Sequence, residues 1–126
     1  MKLFILEDDP SRIVRFKKMF GNDHEMTFTE HAEEALNILK EEEFDVIFLD
    51  HDLGGRQMVL SEEEDTGYQV AKRMDKTVNK ETIVIVHSHN PVGATNMVNV
   101  LTNGVRRVYR LPFGMIDETL LDQDGD

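Results

Sequence analysis

Acidic residues directly follow two apolar segments of the chain that have the character of buried parallel strands. The first segment, residues 3–6, is followed by Glu-Asp-Asp at 7–9, and the second, residues 46–49, by Asp-His-Asp at 50–52. Parallel strands that end at one edge of a sheet bring the residues after them together. Carboxylates grouped in this way repel each other unless a hard cation lies between them, so the pattern predicts a site for magnesium, manganese or calcium.

A third apolar segment, residues 83–86, is followed by His-Ser-His-Asn at 87–90. His87 and His89 are two residues apart, so on an extended chain both would face the same side. Phosphodiester hydrolysis needs a base to activate water and an acid for the leaving alkoxide, and imidazole, with an ordinary pKa of about 6.5, can serve as either. Two other interpretations stay open: ligands of a mixed His/Asp site that favours manganese, iron or zinc, or structural histidines at a strand end.

The residues at this edge have several candidate roles. Asp52 should return towards the cleft as a metal ligand or a base, whereas His51 is a weaker candidate. Asn90, before Pro91, is expected to cap a helix whose first amides would bind an anion. The candidate metal ligands are Glu7, Asp8, Asp50 and Asp52; the candidate catalytic residues are His87, His89, Asp50 and Asp52; Ser88 and Asn90 are candidate phosphate contacts.

The composition is that of one globular domain over residues 1–126, with 40% hydrophobic side chains. A net charge of -11, from 25 acidic and 14 basic side chains, argues against a broad face for nucleic acid. The absence of cysteine excludes disulfides and thiolate metal sites. No apolar run reaches the length of a membrane span, so a cytoplasmic soluble protein is expected.

Strands that alternate with helices predict an α/β fold, with right-handed crossovers and a mostly parallel sheet covered on both faces. Asp9-Pro10 and Asn90-Pro91 each predict a helix start. Five strands are predicted at residues 3–6, 26–29, 46–49, 82–86 and 105–111, and helices are predicted from apolar positions within 10–20, 32–39, 70–78 and 94–101.

The sequence resembles the receiver domain of two-component response regulators over nearly its whole length. Residues 5–10 resemble the acidic-pair motif of that family, and 44–50 resemble the strand that carries its acceptor aspartate. Further matches are residues 32–36, 66–71 and 104–113. The resemblance implies a doubly wound, flavodoxin-like fold with a five-stranded parallel sheet in the order 2-1-3-4-5. It also implies a divalent metal held by Glu7, Asp8 and Asp50, near the main-chain carbonyl of Asp52.

The chain departs from the receiver pattern in several places. Leu111 stands where the family has a lysine, and His87 stands where it has threonine or serine. Arg110 is therefore a candidate phosphate partner in place of the lysine. The segment 50–67 is about twice the usual length, and long loops at such edges tend to carry function. The last helix is reduced to residues 117–121 and an acidic tail.

These departures resemble the branch described as cyclic-phosphate processing receiver domains, whose characteristic strings are similar to residues 49–55 and 87–91. The resemblance implies a phosphoesterase dependent on Mg²⁺ or Mn²⁺ that processes a cyclic phosphate, for example at RNA ends. Expected partners are a phosphate-containing small molecule or an RNA end, and RNA repair proteins. Two alternatives stay open: a signalling receiver phosphorylated on Asp50, and a catalytically silent metal-binding adaptor.

Overall fold

The computed structural model describes residues 1–122, in which five parallel strands form one sheet in the order β2-β1-β3-β4-β5. The doubly wound α/β fold and the strand order predicted above are confirmed. The strands are β1 (Lys2–Leu6), β2 (Glu25–Thr29), β3 (Val46–Leu49), β4 (Ile83–Val86) and β5 (Val108–Arg110). The helices are α1 (Pro10–Phe20), α2 (Ala32–Leu39), α3 (Gly67–Ala71) and α4 (Pro91–Leu101), with 3-10 turns at Met74–Lys76 and Phe113–Met115.

Apolar side chains cover both faces of the central strands, which explains why β1, β3 and β4 are continuously apolar. Phe4 and Leu6 face the core formed with α2, α3 and α4. Leu3 and Ile5 face the core formed with α1 and the C-terminal segment, where the Phe16 ring packs. Because side chains alternate along a strand, the residue after Leu6 turns towards the α1 face.

Helix caps determine how the chain leaves β1 and β4. The Asp9 carboxylate accepts a hydrogen bond from the Ser11 backbone N–H at 2.8 Å, and α1 begins at Pro10. The Asn90 side chain accepts from the Gly93 N–H at 3.0 Å, and α4 begins at Pro91. Both helix starts agree with the sequence prediction, and each lies at the carboxyl edge of the sheet.

Three predicted elements differ from the structure. β5 is shorter than the predicted 105–111, because Arg106 turns inwards to donate to the carbonyls of Leu101 and Lys80 and to the Asp75 carboxylate. Helix α3 ends before the predicted residue 78 and continues as turns. Residues 118–121, part of the predicted last helix, form a turn, and the acidic tail at 123–126 lies outside the described residues.

The long segment between β3 and α3 is fastened to the sheet edge at both ends. Asp52 forms an isolated antiparallel bridge with Thr66, and the Gly67 N–H donates to the His51 carbonyl at 2.9 Å. Further along, Asp65 accepts from the backbone N–H of Ala32 at 2.8 Å and thereby caps α2. The loop is therefore held against the carboxyl edge of the sheet.

Among residues 1–122, no helix has both the length and the apolar character that crossing a membrane requires.

Gly67 is required by the close approach of α3 to the end of β3, which yields a stability prediction. A Cβ at position 67 would lie 1.7 Å from the Asp50 carbonyl oxygen, whereas a Cβ at Gly114 would meet nothing within 4 Å. We expect Gly67→Ala to lower the free energy of unfolding by about 1–3 kcal/mol, as overpacking does. Gly114→Ala, the matched control, should change it by no more than about 0.5 kcal/mol. Equal urea midpoints for the two variants would contradict this account.

Candidate functional site

A cleft of about 390 Å³ opens at the carboxyl ends of β1, β3 and β4. The residues after β1 and β3 form its acidic floor, which counts here as its first side, and the residues after β4 form a second, polar side. The long loop forms the third side, and the first turn of α1 closes the fourth. The lining side chains used below are Glu7, Asp8, Arg12, Asp50, Asp52, Arg56, Gln57, Met58, Ser88, His89 and Asn90.

Strand register brings Glu7, Asp50 and His87 together. They directly follow Leu6, Leu49 and Val86, which are aligned across the three neighbouring strands, so all three turn to the same face. One ligand atom from each lies within 4.8 Å of the other two, and all three residues are buried. The sequence therefore brings two carboxylates and one imidazole to a single point beneath the cleft.

The Glu7 carboxylate accepts hydrogen bonds at both of its oxygens. Its Oε1 atom lies 2.9 Å from Nε2 of His87, and its Oε2 atom accepts from the backbone N–H groups of Asp8 and Asp9 at 3.1 Å. Burial by itself would raise the pKa of Glu7, but the hydrogen bond from His87, the backbone N–H of Asp9 and the Arg12 guanidinium together outweigh it. The pKa of Glu7 therefore lies below its usual value, and this carboxylate is ionised at neutral pH.

His87 is enclosed by the rings of Phe16, Phe48 and Phe113, with ring centroids 5.4 to 6.4 Å away. Burial holds its pKa below the usual value, although the hydrogen bond to Glu7 opposes that shift. Its Nδ1 atom is buried without a hydrogen-bond partner. These contacts assign the neutral tautomer, with the proton on Nε2 directed at Glu7.

Asp50 is the carboxyl group whose ionisation this arrangement disfavours. Its side chain is almost fully buried, and its Oδ1 atom accepts from the backbone N–H of His51 at 2.9 Å. Burial, followed by repulsion from Glu7, raises the pKa of Asp50 to about 8. At neutral pH this carboxyl group therefore holds a proton or is neutralised by a cation.

Arg12 supplies a cationic group beside the floor of the cleft, and it was not among the site residues predicted from the sequence. Its guanidinium lies 3.6 Å from Glu7 and 3.9 Å from Asp50, and 5.2 Å from the ring centroid of Phe113. The available signal was its place in the first turn of α1, immediately beyond β1. Arg110, predicted from the sequence as a phosphate partner in place of the missing lysine, does not line the cleft, because its guanidinium donates to Thr95 on α4.

The oxygens that remain available define what the cleft can hold. The Oδ2 atom of Asp50 lies 3.9 Å from the Arg12 guanidinium. Asp8 also lines the cleft, and its Oδ2 atom accepts a hydrogen bond from the Gly55 N–H at 2.6 Å. Together with Glu7 they form an oxygen donor set, which suits magnesium, manganese or calcium. The single nitrogen of the group, Nε2 of His87, is hydrogen-bonded to Glu7.

Asp52 lines the cleft, but its carboxylate is also bound to the long loop. Its Oδ1 atom lies 2.8 Å from Nδ1 of His51 and accepts from Asn90 at 3.0 Å, and its Oδ2 atom accepts from the Met58 N–H at 2.6 Å. Burial pushes its pKa up, but the hydrogen bonds, that with His51 first, outweigh burial and hold the pKa below the usual value. Asp52 is therefore an ionised anchor for the loop.

His51 is fully buried and extends the Asp52 contact to Ser61, whose Oγ atom lies 2.9 Å from Nε2 of His51. The chain of Ser61, His51 and Asp52 has the connectivity of a nucleophilic triad. Ser61, however, is buried outside the cleft, and its Oγ also accepts from Asn96 at 2.9 Å. We interpret these contacts as a fastening of the loop.

The two histidines after β4 differ in depth. His87 lies beneath the floor, whereas His89 is exposed and lines the cleft. Ser88 and Asn90 also line it, and the Asn90 amide is engaged with Asp52 and with the Val59 carbonyl. The alternation of side chains predicted a shared side for the histidines, but not that Glu7 would cover one of them.

Solved receiver domains share this fold. One from Methylobacillus flagellatus has a TM-score of 0.68 at 14% identity, covering 97% of this chain and 92% of that one. A signal receiver domain of an HD domain-containing protein from Pseudomonas fluorescens has a TM-score of 0.67 at 16% identity, covering 95% and 87%. The receiver domain of the sensor histidine kinase PA1611 from Pseudomonas aeruginosa, with magnesium in its active site cleft, has a TM-score of 0.63 at 17% identity, covering 88% and 84%.

No curated protein matches the chain. The family model of the cyclic-phosphate processing receiver domain matches residues 1–103, which include every residue that lines the cleft. The chain therefore belongs to the family of cyclic-phosphate processing receiver domains.

Proposed function

We propose that the protein is a metal-dependent phosphoesterase that opens a cyclic phosphate, with a nucleoside 2′,3′-cyclic phosphate or an RNA end as its substrate. The observation that carries the proposal is the content of the cleft: a buried pair of carboxylates, a guanidinium 3.6 to 3.9 Å from that pair, and an exposed imidazole in the lining of the same cleft. Proteins of RNA repair are the partners that this chemistry suggests.

The carboxylate pair fits a divalent cation because it lacks enough positive charge of its own. Asp50 is buried beside an ionised Glu7, and Arg12 approaches both only at distances longer than a hydrogen bond. We assign Glu7, Asp8 and Asp50 as the residues that hold Mg²⁺ or Mn²⁺. A cation bound there would polarise a phosphate oxygen as a Lewis acid. The Pseudomonas aeruginosa receiver, which has magnesium in its active site cleft, is consistent with this assignment.

The chain's own groups provide the rest of the chemistry. Arg12 presents a planar fork of donors that matches two phosphate oxygens. His89, exposed in the cleft, exchanges a proton with the attacking water or the leaving alkoxide. Hydrolysis adds water across one P–O bond of the ring, so that hydroxide goes to phosphorus and the proton goes to the released oxygen.

His87 has a positioning role in this proposal. Its Nε2 proton is directed at Glu7, and the ring lies beneath the floor among aromatic side chains. The hydrogen bond orients the Glu7 carboxylate, as groups behind metal ligands commonly do. We therefore assign to His89 alone the acid–base role for which both histidines were candidates from the sequence.

Phosphorylation of Asp50 is the rival function, favoured by the place of this residue at the end of β3 in a receiver fold. Leu111 removes the lysine that would pair with the phosphoryl group, and the Asp50 side chain is nearly enclosed. A catalytically silent adaptor that binds metal is the third candidate. The experiments below separate these three.

Asp50→Asn tests the buried charge and the metal site together. In the unfolded chain Asp50 titrates near 3.8, whereas burial keeps its proton in place up to about pH 8. The stability that the protonated Asp50 contributes is complete below pH 3.8, decreases progressively as the pH rises, and is lost once the pH passes about 8. In EDTA, urea unfolding between pH 5 and 8 should show the variant gaining stability over the wild type, by at most about 1.4 kcal/mol per pH unit.

The same variant should lose its response to metal. Mn²⁺ should stabilise the wild type more at pH 8 than at pH 6, and should leave Asp50→Asn unchanged. Asp23→Asn, an exposed substitution of equal charge, should retain the wild-type response. An Asp50→Asn variant that Mn²⁺ stabilises as much as the wild type would remove Asp50 from the metal site.

His89→Ala tests the acid–base group. With Mn²⁺ or Mg²⁺, the wild type should hydrolyse adenosine 2′,3′-cyclic phosphate, and the variant should have a kcat about 10² to 10⁴ times lower. His24→Ala, on the loop after α1, should behave as the wild type. Absence of turnover on any cyclic phosphate, at saturating metal, would reject the proposed function.

Acetyl phosphate distinguishes the signalling receiver from the enzyme. We expect intact mass spectrometry to show no phosphoryl adduct on the wild type, because the cation that would pair with it at position 111 is missing. An adduct that is absent from Asp50→Asn would favour signalling instead. Metal binding without turnover and without an adduct would favour the adaptor.

A further inference from the structure

Met58 has a backbone conformation that its residue type does not favour. Its φ is 52°, in the left-handed region, and among residues 1–122 it is the one non-glycine residue with a positive φ. Nearby, Gly54 and Gly55 provide positive φ values of 74° with no side-chain penalty. A β-carbon in this region is strained, and strain of this kind accumulates at functional sites.

Polar groups at the carboxyl edge of the sheet hold Met58 in this conformation. Its N–H donates to Asp52 at 2.6 Å, and the next N–H, of Val59, donates to the same carboxylate at 3.2 Å. The Val59 carbonyl accepts from Asn90 at 3.1 Å, and His51 holds Asp52 from behind. The turn is therefore fixed from the main-chain side, and glycine would satisfy all of these contacts.

The Met58 side chain makes no comparable contribution to the fold. It is 63% exposed and lines the cleft on its loop side, beside Gln57. The neighbouring Arg56 is paired with Glu63 at 2.7 Å, which directs its charge along the loop. An exposed apolar group in a strained position at the mouth of a polar cleft is better explained by a ligand than by packing.

We propose that Met58 is the contact for the nucleobase of a cyclic nucleotide whose phosphate lies against Arg12. This inference rests on the proposed function and narrows its substrate class to nucleotides. A methionine thioether makes favourable contacts with aromatic rings and adapts to their shape. Gln57 presents both a donor and an acceptor next to it, which suits the polar edge of a base.

The test compares adenosine 2′,3′-cyclic phosphate with glycerol 1,2-cyclic phosphate, which has the same ring but no base. The variant is Met58→Gly, which removes the side chain and relieves the backbone strain, so its melting temperature should be unchanged or higher. We expect its KM for the nucleotide to rise roughly tenfold, the effect of losing partial burial of one methionine. Its kcat, and both constants for the glycerol compound, should stay at wild-type values.

Leu60→Ala is the matched control, because Leu60 is equally exposed at 62% on the same loop but does not line the cleft. It should leave all four constants unchanged. An unchanged preference for the nucleotide in Met58→Gly overturns the inference and leaves the proposed function intact.

If neither compound is hydrolysed by any form, the proposed function fails, and calorimetric affinities for the two compounds decide the inference separately. Tighter binding of the nucleotide that falls roughly tenfold in Met58→Gly would support the base contact. Equal affinities in the two forms, or no binding, would overturn it.

Discussion

The burial of two carboxylates side by side is the constraint on which the rest of the site depends. Leu6 and Leu49 are paired in register on β1 and β3, so Glu7 and Asp50 must emerge next to each other on the same face. Neither can move away without shifting a strand that is apolar on both sides. The surrounding residues then divide the charge: Glu7 is stabilised by hydrogen bonds, and Asp50 is left to take up a proton or a cation.

An imidazole supports a carboxylate at two places in this protein, on opposite faces of the sheet edge. His87 supports Glu7 from the α1 face, and His51 supports Asp52 from the α4 face. The first pair shapes the floor of the cleft, and the second fastens the loop that forms its outer side. Both rings are fully buried, which leaves His89 as the imidazole that lines the cleft in the described part of the chain.

The long segment after β3 is what most distinguishes this cleft from a plain acidic pocket. Its backbone forms hydrogen bonds with Asp8, Asp52 and Asn90, which follow β1, β3 and β4, the three strands whose ends form the cleft. The loop is therefore part of the site, and its conformation depends on the same carboxylates that define the floor. Substitutions in the loop and in the acids should not be treated as independent, because they share partners.

The fold was predictable because its signals are local. Continuous apolar runs indicated β1, β3 and β4, and the Asp9-Pro10 and Asn90-Pro91 pairs indicated the starts of α1 and α4. The predicted bounds of β5 were wrong because a distant contact intervened. Burial of Arg106 against α4 shortened β5, although the apolar pattern extended further.

By itself, the sequence determined that acids and imidazoles would meet at one edge of a parallel sheet. The reason is that the apolar runs mark where each strand ends, and side chains alternate between the two faces along a strand. Only the tertiary structure decided which of them face the cleft. It placed His87 beneath Glu7, turned His51 towards Ser61, brought Arg12 to the floor and paired Arg110, at the end of β5, with Thr95 on α4. Depth, hydrogen-bond partners and charge pairing depend on contacts between segments far apart in the chain, and no local pattern encodes them.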